Sequence, residues 1–194
     1  MNERYSRERA QTDLALWMIE FEARTSTIRT CTGLSDDRIR KLCQRYFTGR
    51  NGSMVRRRRG KSPQQIARFV KNPAHQLEAS TLMHLFLAYE LVHRDDSGRL
   101  TPRWQTPDVQ CGRVFCAAYA AYRTIHPAPL FCFEWAWTLL HAVERDDTLA
   151  LANCGKCEAD YLHDRYSLDF RVCPACEIRT ERRRRPGARQ FVSN

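Results

Sequence analysis

Between Leu14 and Phe21 the apolar residues Leu14, Trp17, Met18 and Phe21 recur at i, i+3, i+4 and i+7, the period of one helical face. That pattern predicts a first helix over 11–23. The next stretch, TSTIRTCTGLSDDRIRKLCQRYF, reads as helix, turn, helix. Gly33 suits the left-handed turn, Ser35 an N-cap, and Asp36 and Asp37 the positive end of the following helix dipole. In that second helix Ile39, Leu42, Tyr46 and Phe47 supply the apolar side, and Arg38, Lys41 and Arg45 are left facing water. Residues 48–63, TGRNGSMVRRRRGKSP, contain three glycines and a proline and should hold neither helix nor strand. They are expected to form a basic loop.

After Asn72-Pro73, the stretch from Leu77 to Val92 is apolar around much of its circumference, as a helix in the middle of a bundle should be. His84 and His93 within it are expected to be satisfied structural histidines. Pro107-Asp108 opens another helix carrying Val114, Phe115, Ala118, Tyr119 and Tyr122. Phe131, Trp135, Leu139 and Val143 then fall at four-residue steps, a packing stripe rather than a cofactor box. Glu134 is the odd residue among these aromatics. No second acid at helical spacing accompanies it, so an arginine partner or exposure explains it as well as catalysis does.

With 194 residues and 22.8 kDa, the chain is long enough to bury about two thirds of its unfolded surface. Its 43% hydrophobic and 28% charged residues argue against wholesale disorder and against fibrous architectures. The longest apolar stretch, 128–143, contains Glu134 and His141, which argues against a membrane span. The opening MNERYSRERAQTD carries charges of both signs and nothing like a signal peptide, so the expected location is the reducing cytoplasm. Phosphate-cradling glycine loops, H-E-x-x-H, G-x-S-x-G, kinase-type and deaminase-type signatures are all missing, and no enzyme is expected. The pairs Asp36-Asp37, Asp95-Asp96 and Asp146-Asp147 fit caps and turns better than a Mg2+-dependent nuclease.

Charge changes the picture more than composition does. The net charge is +10, and two runs account for all of it: Arg56 to Lys61 has five cations and no acid, and Arg179 to Arg189 has six cations and one acid. An excess confined to two runs suits a polyanion, with double-stranded DNA the first partner to consider. Solvated tails, an acidic protein or anionic lipid are the other readings of such runs. The candidate DNA contacts are Arg38, Lys41 and Arg45 in the helical pair, Arg56, Arg57, Arg58, Arg59 and Lys61 in the loop, and Arg182, Arg183, Arg184 and Arg185 in the tail. The helical pair fits a DNA-binding helix-turn-helix in its glycine turn and in Leu34, Ile39 and Leu42, although Arg29 stands where a small buried residue is usual. A plain helical hairpin is the alternative, and two acids at the recognition end weaken groove insertion.

The nine cysteines divide by context. Cys31, Cys43, Cys111, Cys116 and Cys132 stand singly, at no metal-ligand spacing, and read as core fillers. The other four form Cys154-Gly-Lys-Cys157, fifteen intervening residues, and Cys173-Pro-Ala-Cys176, the spacing of a structural zinc site. Two intervening residues let a knuckle aim both sulfurs at one point, and two knuckles complete a tetrahedron. Four thiolates leave no open position, so one Zn2+ per chain would fold the segment without catalysing anything. Redox-active pairs or disulfides are the other reading, which a reducing compartment disfavours. His163 in the intervening stretch is expected to be an ordinary surface or turn histidine. Around the knuckles, Leu149 to Ala152, Tyr161-Leu162 and Phe170-Arg171-Val172 resemble short strands of a zinc ribbon.

The expected fold is therefore mainly α. A helical DNA- and partner-binding domain covers 1–148, a zinc-ribbon-like module 149–178, and a basic disordered tail 179–194. In that order the segments GLSDDRIRKLCQRYF, RRGKSP, AWTLLHAVE, CGKC and CPAC, with the basic tail, resemble the FlhC family, the zinc-containing subunit of the bacterial flagellar master transcriptional activator. The chain departs from that pattern in its arginine insertion and in QQIARFVKNPAHQ. The resemblance implies a mostly helical protein that holds zinc through Cys154, Cys157, Cys173 and Cys176. It also implies a heterohexamer with an FlhD-like protein and recruitment of RNA polymerase to flagellar promoters. The functional expectation is a DNA-binding subunit of a transcriptional activator. The alternative is a zinc-ribbon RNA-binding or ribosome-associated protein.

Overall fold

The computed structural model describes residues 3–47, 65–96, 98–145, 148–168 and 171–184. Among them are seven α-helices and two antiparallel hairpins. The chain runs α1 (Glu3–Glu20), α2 (Thr25–Thr32), α3 (Asp36–Phe47), a short 3-10 helix (Ile66–Val70), α4 (Pro73–Ala88), β1 (Val92–Arg94), β2 (Leu100–Pro102), α5 (Val109–Ile125), α6 (Phe133–Arg145), β3 (Leu149–Asn153), β4 (Asp160–Asp164) and α7 (Pro174–Arg184). The protein is mainly helical, as the sequence predicts.

Local chemistry sets most of the boundaries. Asn72 caps α4 by accepting the His75 N–H at 2.9 Å, with Pro73 in the first turn, and Asp108 caps α5 by accepting the Cys111 N–H at 2.8 Å. Two helices end on glutamates in the left-handed region, Glu22 at φ 59 and Glu90 at φ 56. Around each, paired hydrogen bonds wrap the last turn: Ala23 N to Met18 O at 3.0 Å, and Leu91 N to Phe86 O at 2.7 Å.

Helices α4, α5 and α6 pack around fully buried Phe86, Phe115, Tyr122, Phe131 and Phe133. Helices α1 and α2 close against α5 at Gly112, where an added Cβ would stand 2.7 Å from Leu14 Cδ2 and 3.0 Å from Cys31 Cβ. A buried polar knot ties α4 to the segment before α6. Glu78 accepts from the Tyr122 hydroxyl and from the Leu130 N–H (2.9 Å), and the Tyr122 hydroxyl accepts the Phe131 N–H at 3.3 Å. Burial, followed by the bond to Glu78, pushes the Tyr122 hydroxyl up.

Several expectations need correction. The first helix begins at Glu3, not near residue 11, because Arg4–Glu8 (3.4 Å) and Arg9–Asp13 (3.8 Å) pairs line turns that carry no apolar stripe. The expected helix through Val92 stops at Ala88, and Val92 opens a hairpin whose turn is held by Asp95 accepting the Arg99 N–H at 2.9 Å. His84 and His93 are exposed. The part of the expected disordered tail from Arg179 to Arg184 is helical and completes α7. Arg171 and Val172 form a bend instead of a third strand. The basic loop at 48–63, the Asp146-Asp147 pair and residues 185–194 lie outside the described residues. Among the described residues no helix is long and apolar enough to cross a membrane.

Candidate metal centre and helix-turn-helix

Strands β3 and β4 pair from Leu149 opposite Asp164 to Asn153 opposite Asp160, and the CGKC segment is the turn between them. The turn folds back through Cys154 N to Ala159 O (3.0 Å) and Glu158 N to Cys154 O (2.8 Å), with Glu158 in the left-handed region at φ 59. Gly155 lies against the second cysteine pair's approach. Its N–H donates to Arg171 O at 3.0 Å, and a Cβ would stand 3.3 Å from that oxygen. The second pair comes from a helix start, with Cys173 just before α7 and Cys176 in its first turn. A zinc ribbon would place that pair in a second knuckle between strands. The helix start instead presents its free N–H groups to sulfur, and Cys176 N lies 3.4 Å from Cys173 Sγ.

The sulfurs of Cys154, Cys157, Cys173 and Cys176 all lie within 4.8 Å of one another, and Cys157 Sγ is 3.6 Å from Cys173 Sγ. Four sulfurs about 2.3 Å from a shared tetrahedral centre stand about 3.8 Å apart, so this cluster can hold a metal ion. Cys154 is fully buried, whereas Cys157 faces solvent. Burial pushes the Cys154 thiol up, but the N–H groups of Cys173, Lys156 and Cys157 outweigh it and bring the thiol down to about 6. Burial holds Cys173 up at about 12.

His163 does not join the sulfurs. It is buried in β4, not on the surface as expected, and its Nδ1 lies 2.8 Å from Asp164 O. The other five cysteines are helix or loop residues away from the cluster. Cys31, Cys111 and Cys116 are buried core fillers, and Cys43 and Cys132 are half-buried.

The four-cysteine module is seated on the helical body through α4. Gln76 Nε2 donates to Leu162 O at 2.9 Å, and Ser80 Oγ accepts the Leu162 N–H at 3.0 Å, so two α4 side chains satisfy one edge of β4. Arg94 pairs with Asp160 at 2.8 Å. Leu149, Leu151 and Leu162 belong to the main core, whereas Tyr161 packs with the cysteines.

No family model matches the chain, and neither does any curated protein.

Helices α1, α2 and α3 form a three-helix unit. Gly33 leaves α2 at φ 70, its N–H donating to Arg29 O at 2.8 Å, and Ser35 Oγ accepts the Arg38 N–H at 3.3 Å to start α3. Ile39 is the only fully buried residue of α3. Arg38, Lys41 and Arg45 are all exposed, as expected, and the sequence reading missed Arg40 and Gln44 beside them. Counting helical steps from Ile39 would have found both.

Two features that seemed to weaken this unit have local explanations. Arg29 points outward and pairs with Asp36 at 3.1 Å, linking α2 to α3, so it does not displace core. Asp37 is held by Lys41 (3.0 Å) and Arg40 (3.4 Å). Of the remaining candidate contacts, Arg183 is exposed on α7, and Arg182 and Arg184 belong to that helix. Arg56, Arg57, Arg58, Arg59, Lys61 and Arg185 lie outside the described residues.

Proposed function

We propose that the chain is a DNA-binding subunit of a transcriptional activator that works with an FlhD-like partner and recruits RNA polymerase to flagellar promoters. The observation that carries this reading is the α2–α3 unit: a glycine turn, a capped second helix, and one exposed helix bearing Arg38, Arg40, Lys41 and Arg45. An overall charge of +10 attracts the phosphate backbone and supplies affinity that is independent of sequence. The partner and the promoter class come from the family resemblance.

Zn2+ is the proposed metal, one per chain. Four thiolates are a soft, closed donor set, which suits tetrahedral Zn2+ and leaves no position for substrate. Its role is structural: Cys154, Cys157, Cys173 and Cys176 join the hairpin to α7, and Gln76 and Ser80 pass that order to α4. No enzymatic role is assigned, and a cytoplasmic site of action goes with the same reading.

The test is fluorescence anisotropy of a labelled flagellar-promoter duplex with the purified chain and its FlhD-like partner, with unlabelled single-stranded RNA as competitor. The expected result is binding that falls steeply with salt and resists RNA competition. Preferential loss of signal to RNA would favour the ribosome-associated alternative and defeat the promoter reading.

A further inference from the structure

We infer that α3 reads base edges through Lys41 and Gln44, while Arg38 and Arg45 grip the phosphates on one wall of the groove; this deepens the DNA-binding reading and rests on it. The two arginines of this face are then the ones that carry no sequence information. The rotational position of each residue relative to buried Ile39 carries the argument.

At 100° per residue, Asp37, Lys41 and Gln44 stand about 160°, 200° and 140° around α3 from Ile39. These three form the stripe pointing most directly away from the core. Arg45 and Arg38 stand about 240° and 260° around, on one flank, and Arg40 about 100° around, on the other. Only Ile39 is fully buried, and all six of these side chains are exposed. A major groove about 12 Å wide admits a helix about 10–12 Å across with little clearance. The outermost stripe then reaches the base edges and the flanks meet the backbones.

The chemistry of each residue agrees with its place. Lys41 offers N–H donors to guanine O6 and N7, and the Gln44 amide can both donate to and accept from adenine at N7 and N6. Asp37 holds the Lys41 ammonium at 3.0 Å and so restricts where it points. The Arg45 guanidinium sits 5.8 Å from the Tyr46 ring, which keeps it on the flank. Lys41 and Gln44 are three residues apart, about 4.5 Å along the axis, so the bases they read are one or two pairs apart.

The experiment selects from a pool of randomised duplexes with the full chain and then measures affinity and salt slope for Lys41→Ala, Gln44→Ala, Arg38→Ala and Arg45→Ala. All four positions are on the surface, so the variants retain the fold. Lys41→Ala is expected to erase a preference for guanine at one position, and Gln44→Ala a preference for adenine at a nearby one, each by roughly 5- to 150-fold. Arg38→Ala and Arg45→Ala should weaken every sequence alike and lower the salt slope by about 0.9 each. If the arginine variants change base preference and the other two do not, or if all four leave it intact, α3 does not sit in the groove this way and DNA binding itself still stands. If the unaltered chain binds no duplex in the pool, the DNA-binding reading fails along with this one.

Discussion

At the scale of single residues, Glu134 shows how a side chain placed like a catalytic acid serves to join distant segments. Glu134 is 1% exposed, and its carboxylate accepts from the Arg24 N–H at 2.7 Å and from the Thr27 hydroxyl at 3.1 Å, with Arg24 Nε 3.7 Å away. Arg24 stands at the start of α2 and makes no cap with its own side chain. Glu134 therefore supplies, from across the core, the anion that the positive end of α2 requires. The two groups are 110 residues apart, so sequence spacing gave no sign of it, although an arginine partner was one of the two expected explanations. Replacing Glu134 with alanine leaves a buried N–H and a hydroxyl unpaired and should cost about 2–4 kcal/mol. Urea unfolding measures that cost, and a loss below about 0.5 kcal/mol would show that the contact carries no weight. Because α2 fixes the turn into α3, the variant should also lose affinity for duplex DNA.

At the scale of elements, sequence legibility followed the length of the pattern. Helices α4, α5 and α6 each present an apolar face over several turns, and Gly33 and Ser35 mark the break between α2 and α3 by conformational chemistry that depends on few neighbours. The β1–β2 hairpin escaped because each strand has three residues, too few to show alternation, and Leu91 and Val92 continue the apolar run of α4. What separates them from the helix is Glu90 turning into the left-handed region at φ 56, a position that glycine usually fills. The cysteine spacing predicted the cluster in full. It did not show that the second pair opens a helix, since Pro174 suits the first turn of a helix as well as a knuckle. The resulting module has its own small core of Cys154, Tyr161, Cys173 and Cys176, which a bound metal would tie together, while Leu149, Leu151 and Leu162 face the main core. Chelation under reducing conditions should therefore remove hydrogen-exchange protection from the CGKC turn and from α7, and leave α1, α4, α5 and α6 protected. Uniform loss across the chain, or none, would contradict this division.

At the scale of the whole molecule, one residue type is put to two opposite uses. In the C-terminal cluster backbone N–H groups draw Cys154 down to about 6, whereas between the helices burial pushes Cys111 up to about 12 and pushes Cys31 and Cys116 up as well. Cys31 also feels Cys111 and Cys116, because α2 and α5 meet closely where Gly112 allows it. These thiols stay protonated in the fold, while in the unfolded chain they ionise near the ordinary value of 9.0. Between about pH 9 and about pH 12 the folded state thus binds more protons than the unfolded state, and stability falls as pH rises. Below pH 9 both states hold these protons and the thiols contribute no slope. Denaturant midpoints measured from pH 7 to pH 11 in reductant should stay flat with respect to these groups and then drop. Cys116→Ala should reduce the alkaline drop at a modest cost at neutral pH, because the methyl group keeps part of the packing and has nothing to ionise. An alkaline drop that Cys116→Ala leaves unchanged would assign the loss to other groups, with the buried Tyr122 hydroxyl the first to test.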